Sequence, residues 1–167
     1  MIAGNHPRLT ALVRLLLSPL VGLGAGLTGL APASAQERFS QDRFATALHH
    51  FEQRGFEVRL DHPRCASDGF FGLHIRGTAA VVVCPRGNRL ETLLHEGWHG
   101  VQFLCLRDRP WIPRDEVERR LSRRDQRDIE SLYAASKWQR EAEARLMAAL
   151  PWDRYAEELD RACGYGS

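Results

Sequence analysis

Two histidines flank a glutamate in the stretch His95-Glu96-Gly97-Trp98-His99. In an α-helix, residues four apart lie one turn apart on the same face, so both imidazoles could reach a single zinc ion. Glu96 would then lie beside an open coordination position, where a carboxylate can accept a proton from a water on the metal. The spacing predicts a zinc site with hydrolytic chemistry, provided that the segment is helical.

The residues around this motif are typical of an amphipathic helix. Asn88 followed by Glu91 has the form of a helix start, in which a side chain caps the first turn. The two histidines and Gln102 fall on the face opposite the apolar residues. Gly97 lies on the apolar face and weakens a helix, which predicts that a neighbouring element approaches closely there. The apolar positions are Leu90, Leu93, Leu94, Gly97, Val101, Leu104 and Cys105.

A catalytic zinc has three protein ligands, so a third ligand is expected downstream. The segment from about Asp125 to Leu150 contains no Gly or Pro, which predicts one long helix ending before Pro151. Within it, Glu141 and Ala144 form a Glu-x-x-Ala pattern. Together with the histidine motif, this pattern resembles the gluzincin-type zinc metallopeptidases, in which a glutamate on a later helix completes the metal site.

The resemblance implies a role for each matching residue. His95, His99 and Glu141 would hold Zn²⁺, and Glu96 would be the general base for hydrolysis of a peptide or protein substrate. It also implies a minimal zincin-like fold, with a small three-stranded sheet, an active-site helix and a later ligand-bearing helix.

Two assignments stay open at this point. Helical periodicity favours Glu143 as the third ligand instead of Glu141, because Glu143 is in line with the apolar positions of the predicted long helix. Either glutamate could also lie on a solvated face beside an arginine.

Three residues are chemically suitable as donors to a developing oxyanion, and no motif selects among them. They are Tyr133, Tyr155 and Arg140.

The N-terminus has the pattern of a secretory signal. Residues 1–14 carry two arginines and no acid, residues 15–31 are apolar, and Ala33-Ser34-Ala35 matches a signal-peptidase site. This predicts a signal peptide at 1–35 and a single domain at 36–167. We expect an exported protein, periplasmic or extracellular, without stable membrane insertion after the signal is removed.

Charge and cysteine content agree with that location. The predicted signal holds two of the 23 Lys and Arg residues and none of the 21 Asp and Glu residues, so the remainder is balanced. A near-neutral domain gives no electrostatic reason to expect nucleic acid, and we expect a monomer. Four cysteines in an exported chain predict two disulfides, for which we favour Cys65–Cys84 and Cys105–Cys163 among three pairings.

The order of predicted elements is strands early and helices late, which indicates an α+β fold. The strands are predicted at 56–60, 70–76 and 79–84, the last two as a hairpin, and Ala79–Val83 as the edge that binds an extended peptide. Further helices are predicted at 40–53, 114–121 and 152–162. Besides the peptidase, two alternatives remain: a non-catalytic zinc-stabilised domain and a disulfide-stapled interaction domain.

Overall fold

The computed structural model describes residues 35–165, which form six α-helices and three short β-strands. The predicted signal peptide lies outside the described residues except for Ala35, where the first helix begins. The helices are α1 (Ala35–Gln53), α2 (Arg89–Leu104), α3 (Arg114–Arg120), α4 (Arg123–Leu132), α5 (Trp138–Ala148) and α6 (Trp152–Cys163). The strands are β1 (Glu57–Arg59), β2 (Gly72–His74) and β3 (Ala80–Val83). The prediction of an α+β fold with a three-stranded sheet is confirmed.

The sheet has the strand order β1-β3-β2, with β1 parallel and β2 antiparallel to β3. The predicted hairpin is therefore confirmed, but the prediction of Ala79–Val83 as an edge is wrong. All four residues of β3 are buried, and a run of β-branched residues without alternation is typical of a strand covered on both faces. The edge beside α2 is β2, since an added Cβ on Gly72 would come within 2.5 Å of Thr92 Cγ2.

Helix α2 begins as predicted, because the Asn88 side chain accepts a hydrogen bond from the Glu91 backbone N–H at 3.2 Å. The predicted close approach at Gly97 is also confirmed: an added Cβ there would collide with the Phe51 ring of α1. At Gly100 the same atom would lie 2.8 Å from the ring of Phe56. The two glycines let α1 and the residue before β1 pack directly against the backbone of the helix that carries the histidines.

The predicted long helix at 125–150 is wrong. The chain forms α4, leaves the helix at Tyr133 in an extended conformation, makes a short 3-10 turn at Ala135–Lys137 and then forms α5. Ile129 and Trp138 explain the break, because nine residues of continuous helix would put them on opposite faces. Both side chains are buried in one core, which the interruption makes possible.

Both favoured disulfides are confirmed. Cys65–Cys84 joins the 3-10 turn at Pro63–Ala66 to the end of β3, with the Cα atoms 5.4 Å apart. Cys105–Cys163 joins the end of α2 to the end of α6, with the Cα atoms 4.7 Å apart. Within residues 35–165, no helix has the length and apolar character needed to cross a bilayer.

Candidate metal centre

Helices α2 and α5 bring three of the predicted residues together. The rings of His95 and His99 stand one helical turn apart, with centroids 4.9 Å from each other. Glu141, in the first turn of α5, points one carboxylate oxygen at both rings, at 3.2 Å from His99 Nε2 and 3.8 Å from His95 Nε2. One ligand atom from each residue can be chosen so that all three lie within 4.8 Å of one another, and the group could hold a metal ion.

The spacing of these atoms suits a zinc ion. Two ligands at about 2.0–2.1 Å from tetrahedral zinc are about 3.3 Å apart, and the distances from Glu141 to the two histidines bracket that value. Two imidazoles and one carboxylate are also a donor set that zinc accepts in proteins. The side chains are between 9% and 23% exposed, so the site is sheltered yet open on one side.

Contacts among the three side chains shift the pKa values of His99 and Glu141 in the metal-free protein. Burial lowers the pKa of His99, but the hydrogen bond and charge of Glu141 raise it by more, and the net pKa lies above that of a free histidine. Burial raises the pKa of Glu141, whereas its contacts with His95 and His99 outweigh that effect and hold this pKa far below its usual range. The carboxyl group is therefore ionised at neutral pH, as metal ligation requires.

Glu96 is half-buried and lines the small cavity that contains the three-residue group. One of its carboxylate oxygens accepts a hydrogen bond from the backbone N–H of His74 in β2, at 2.9 Å. Within residues 35–165 the other oxygen has no hydrogen-bond partner. The contact orients the carboxylate while leaving one oxygen available to a proton donor.

Glu143 occupies a different environment from Glu141. Its side chain is fully buried and accepts four hydrogen bonds. The donors are Trp98 Nε1 at 2.9 Å, Gln102 Nε2 at 3.0 Å, Trp111 N at 2.8 Å and Ile112 N at 3.0 Å. These bonds join α2, the segment before α3, and α5. The structure thus brings Glu141 and not Glu143 to the two histidines.

Sequence reasoning missed the role of Gln102, although it lies three residues after His99 on the same face. Its amide nitrogen donates to the Glu143 carboxylate and to the Arg140 carbonyl at 3.1 Å, which identifies the remaining amide oxygen as an acceptor. That oxygen lies 2.8 Å from His99 Nδ1, so Nδ1 carries the proton. Nε2 is then the ring nitrogen that can bind a metal, once its proton, which faces Glu141 in the metal-free site, is released. Arg140 Nε also directs its N–H at Nδ1, at 3.3 Å, and we assign the Nδ1 proton from the shorter contact with the Gln102 oxygen.

The three candidate oxyanion donors differ in their position relative to the metal-site cavity. Tyr155 is fully buried and its hydroxyl donates to the Leu94 carbonyl at 2.7 Å, so it belongs to the core. Tyr133 and Arg140 line the same small cavity as the histidines. Burial raises the pKa of Tyr133, and the charges of Glu141 and Glu96 raise it further, which keeps the phenol protonated. Arg140 is engaged with Asp108 at 2.8 Å.

The structure also brings His74 to the site, although its spacing in the sequence does not relate it to the histidine motif. The structure shows it buried, with its ring Nε2 2.9 Å from the Thr78 carbonyl, and lining the metal-site cavity. The sequence contains no direct signal for this position, because only the pairing of β2 with β3 brings His74 beside Glu96.

No family model, curated protein or solved structure matches this chain.

Proposed function

We propose that this protein is an exported zinc-dependent peptidase of the gluzincin type. The single observation that carries the proposal is the convergence of His95, His99 and Glu141 from two helices, with Glu96 lining the same cavity. A bound zinc ion would polarise the scissile carbonyl and lower the pKa of a water molecule. Helix α2 would be the active-site helix of a zincin-like arrangement, and α5 the ligand-bearing helix.

The residues of the chain divide the work of hydrolysis. The free oxygen of Glu96 accepts the proton of the attacking water and later passes it to the leaving nitrogen, while the His74 N–H holds the other oxygen in place. The Tyr133 hydroxyl, protonated at working pH, is the favoured donor to the developing oxyanion. Gln102 keeps His99 in the tautomer that ligation needs.

A peptide substrate would lie along β2. In an antiparallel pair, alternate residues turn their N–H and C=O groups away from the partner strand. The hydrogen bonds between β2 and β3 include those donated by the N–H groups of Ile75 and Cys84. The N–H and C=O groups of the alternate β2 residues, Gly72 and His74, therefore point away from β3. The His74 N–H is engaged by Glu96, so the groups that can pair with an extended peptide as an added strand are the Gly72 N–H and the carbonyls of Gly72 and His74. This edge replaces Ala79–Val83, because β3 is paired on both sides.

Export is supported by the two disulfides, which form and persist in oxidising compartments. The predicted signal peptide is consistent with the same location. The substrate is a peptide or protein outside the cytoplasm, and we expect the domain to act as a monomer.

Metal analysis and peptide hydrolysis test the proposal together. We expect the purified protein to bind one zinc ion and to cleave an unstructured protein such as casein. The Glu96→Gln variant should retain zinc and lose at least about 100-fold in kcat, because the general base is gone. Activity that survived in this variant would contradict the assigned role of Glu96.

A second function is favoured by one specific feature, the way in which the three ligands tie α2 to α5. A zinc ion bound there could serve stability alone. In that case zinc would raise the unfolding temperature of the wild type and of Glu96→Gln equally, and neither protein would cleave casein.

A further inference from the structure

Two larger cavities adjoin the metal site, one near each end of α2. The wide groove, of about 1040 Å³, runs along the N-terminal half of the helix and shares His95 and Glu96 with the metal site. The second cavity, of about 510 Å³, lies beside the C-terminal end of the helix at Gln102 and Phe103. It shares four residues with the metal-site cavity: His74, Arg76, Lys137 and Arg140. We call it the basic pocket.

The charges of the basic pocket are unbalanced. Its acidic groups are already engaged, since Glu143 accepts four N–H bonds and Asp108 is paired with Arg140. Three cations on its walls have no acidic partner among residues 35–165. They are Arg76, Arg109 and Lys137. The basic pocket therefore presents excess positive charge next to the metal site.

The wide groove differs in this respect. Its lining combines three arginines with three acidic residues, and two of these groups, Arg145 and Asp125, are paired at 3.0 Å. Apolar side chains such as Leu146 and Trp152 fill much of the remaining wall. A negatively charged group would therefore be attracted to one end of α2 and not to the other.

A strained turn forms part of the wall of the basic pocket. Arg107 and Asp108 are consecutive non-glycine residues in the left-handed region, with φ values of 54° and 58°. Such residues are sterically disfavoured and persist where surrounding contacts hold them. Here the Asp108 backbone N–H donates to the Gln102 carbonyl at 2.7 Å, and Arg140 binds the Asp108 side chain. The turn brings Asp108 and Arg109 to the pocket.

We propose that the basic pocket binds a carboxylate of the substrate, either an acidic side chain or a free C-terminus. The inference rests on the proposed function and names its substrate class. Arg76 follows β2 by two residues, so a peptide lying on the β2 edge leads towards the pocket. Guanidinium and ammonium groups without partners recognise a carboxylate by charge-assisted hydrogen bonds.

Peptide binding tests this independently of turnover. Three fluorescently labelled peptides share one core: one has an acidic side chain and an amidated end, one is neutral with a free C-terminus, and one is neutral and amidated. Fluorescence anisotropy with the Glu96→Gln protein, with and without added zinc, should show about tenfold tighter binding of one or both carboxylate peptides. Whichever peptide binds more tightly identifies the source of the carboxylate. Equal affinity for all three peptides would overturn the proposal.

A pair of double variants locates the effect. Arg76→Ala with Lys137→Ala should remove the roughly tenfold preference and leave the neutral amidated peptide unchanged. The matched control is Arg123→Ala with Arg127→Ala on α4, two cations that are also unpaired among the described residues but line neither cavity. Equal losses in both double variants would indicate a general surface attraction and contradict the pocket.

The two proposals fail in different ways. If the wild-type protein cleaves the three peptides but binds them with equal affinity, the proposed carboxylate site is wrong and the proposed peptidase activity is retained. If the carboxylate preference is present and no peptide is cleaved, the pocket is a binding site and the peptidase is wrong.

Discussion

The two sides of α5 carry glutamates two residues apart in opposite environments. Glu141 lines a small cavity, and one of its carboxylate oxygens faces two imidazole rings. Glu143 points about 200° away around the helix, is fully buried and accepts hydrogen bonds from four N–H groups. The same side chain thus contributes to a candidate metal site on one side and to the interior on the other.

The difference shows that the neighbouring hydrogen-bond donors decide whether a carboxylate is structural or available to a metal. N–H groups that cannot move away satisfy Glu143 fully, which leaves it no lone pair directed at a metal. Glu141 faces ring nitrogens that can release a proton to solvent and bind a metal ion with the lone pair left behind. Gln102 connects the two environments, because its amide binds Glu143 through nitrogen and His99 through oxygen.

The largest effect is expected from removing the buried carboxylate. Glu143→Ala leaves four N–H donors unpaired in the core and should lower the free energy of unfolding by about 3–5 kcal/mol. Denaturant unfolding of the metal-free, disulfide-intact protein measures it. The matched control is Glu141→Ala, which leaves these four N–H donors paired and should cost distinctly less than Glu143→Ala under the same conditions. Similar losses in the two variants would abolish the distinction between the two sides.

Zinc affinity is expected to show the opposite order, with the larger effect at Glu141. Glu141→Gln should weaken zinc binding by at least about 100-fold, more than a change outside the ligand shell produces, because a charged ligand is lost. Competition with a fluorescent zinc chelator measures the affinity. Asp153→Asn, an equal loss of charge on a different helix, serves as the control and should leave zinc affinity unchanged. Unaltered zinc binding by Glu141→Gln would show that Glu141 is not a ligand.

A smaller effect on zinc affinity is expected from replacing Gln102, which links His99 to Glu143. Gln102→Leu removes the acceptor that holds the His99 Nδ1 proton, and zinc affinity should fall by about 10–100-fold. Gln126→Leu is a suitable control, since the Gln126 amide likewise donates two hydrogen bonds, in this case to two backbone carbonyls, but lies on α4. If zinc affinity is equal in Gln102→Leu and the wild type, Gln102 does not orient the ligand.

The smallest effect is the pH dependence of the metal-free pair. The lowered pKa of Glu141 makes its contribution to stability complete above its unfolded pKa and lost as pH falls through the folded one. The raised pKa of His99 makes its contribution complete below the unfolded pKa and lost as pH rises through the folded one. The pair therefore stabilises most between about pH 4.3 and 6.5.

Urea unfolding with a chelator at pH 5.5 and pH 8 measures this window. The difference in stability between the wild type and Glu141→Gln should be larger at pH 5.5. A difference that grew towards pH 8 would contradict the direction of the His99 shift.

Local patterns in the sequence predicted much of the framework. The start of α2 and the close approach at Gly97 follow from capping and packing rules that involve few partners. The four cysteines predicted two disulfides, and the structure confirmed the favoured pairing among the three that the sequence left open. The interruption between α4 and α5 could not be predicted, because no glycine or proline marks it. It arises from the burial of Ile129 and Trp138 in one core.

The type and spacing of His95, Glu96 and His99 were determined by the sequence alone, since a helix places residues four apart on one face whatever surrounds it. Only the tertiary structure decided between Glu141 and Glu143, and between β2 and β3 as the free edge. Periodicity favoured Glu143 because it is a core position, and the core satisfied that carboxylate with N–H donors from two segments distant in sequence, α2 and the residues before α3. Long-range partners of this kind leave no periodic signal, because they belong to the packing of elements and not to any one helix.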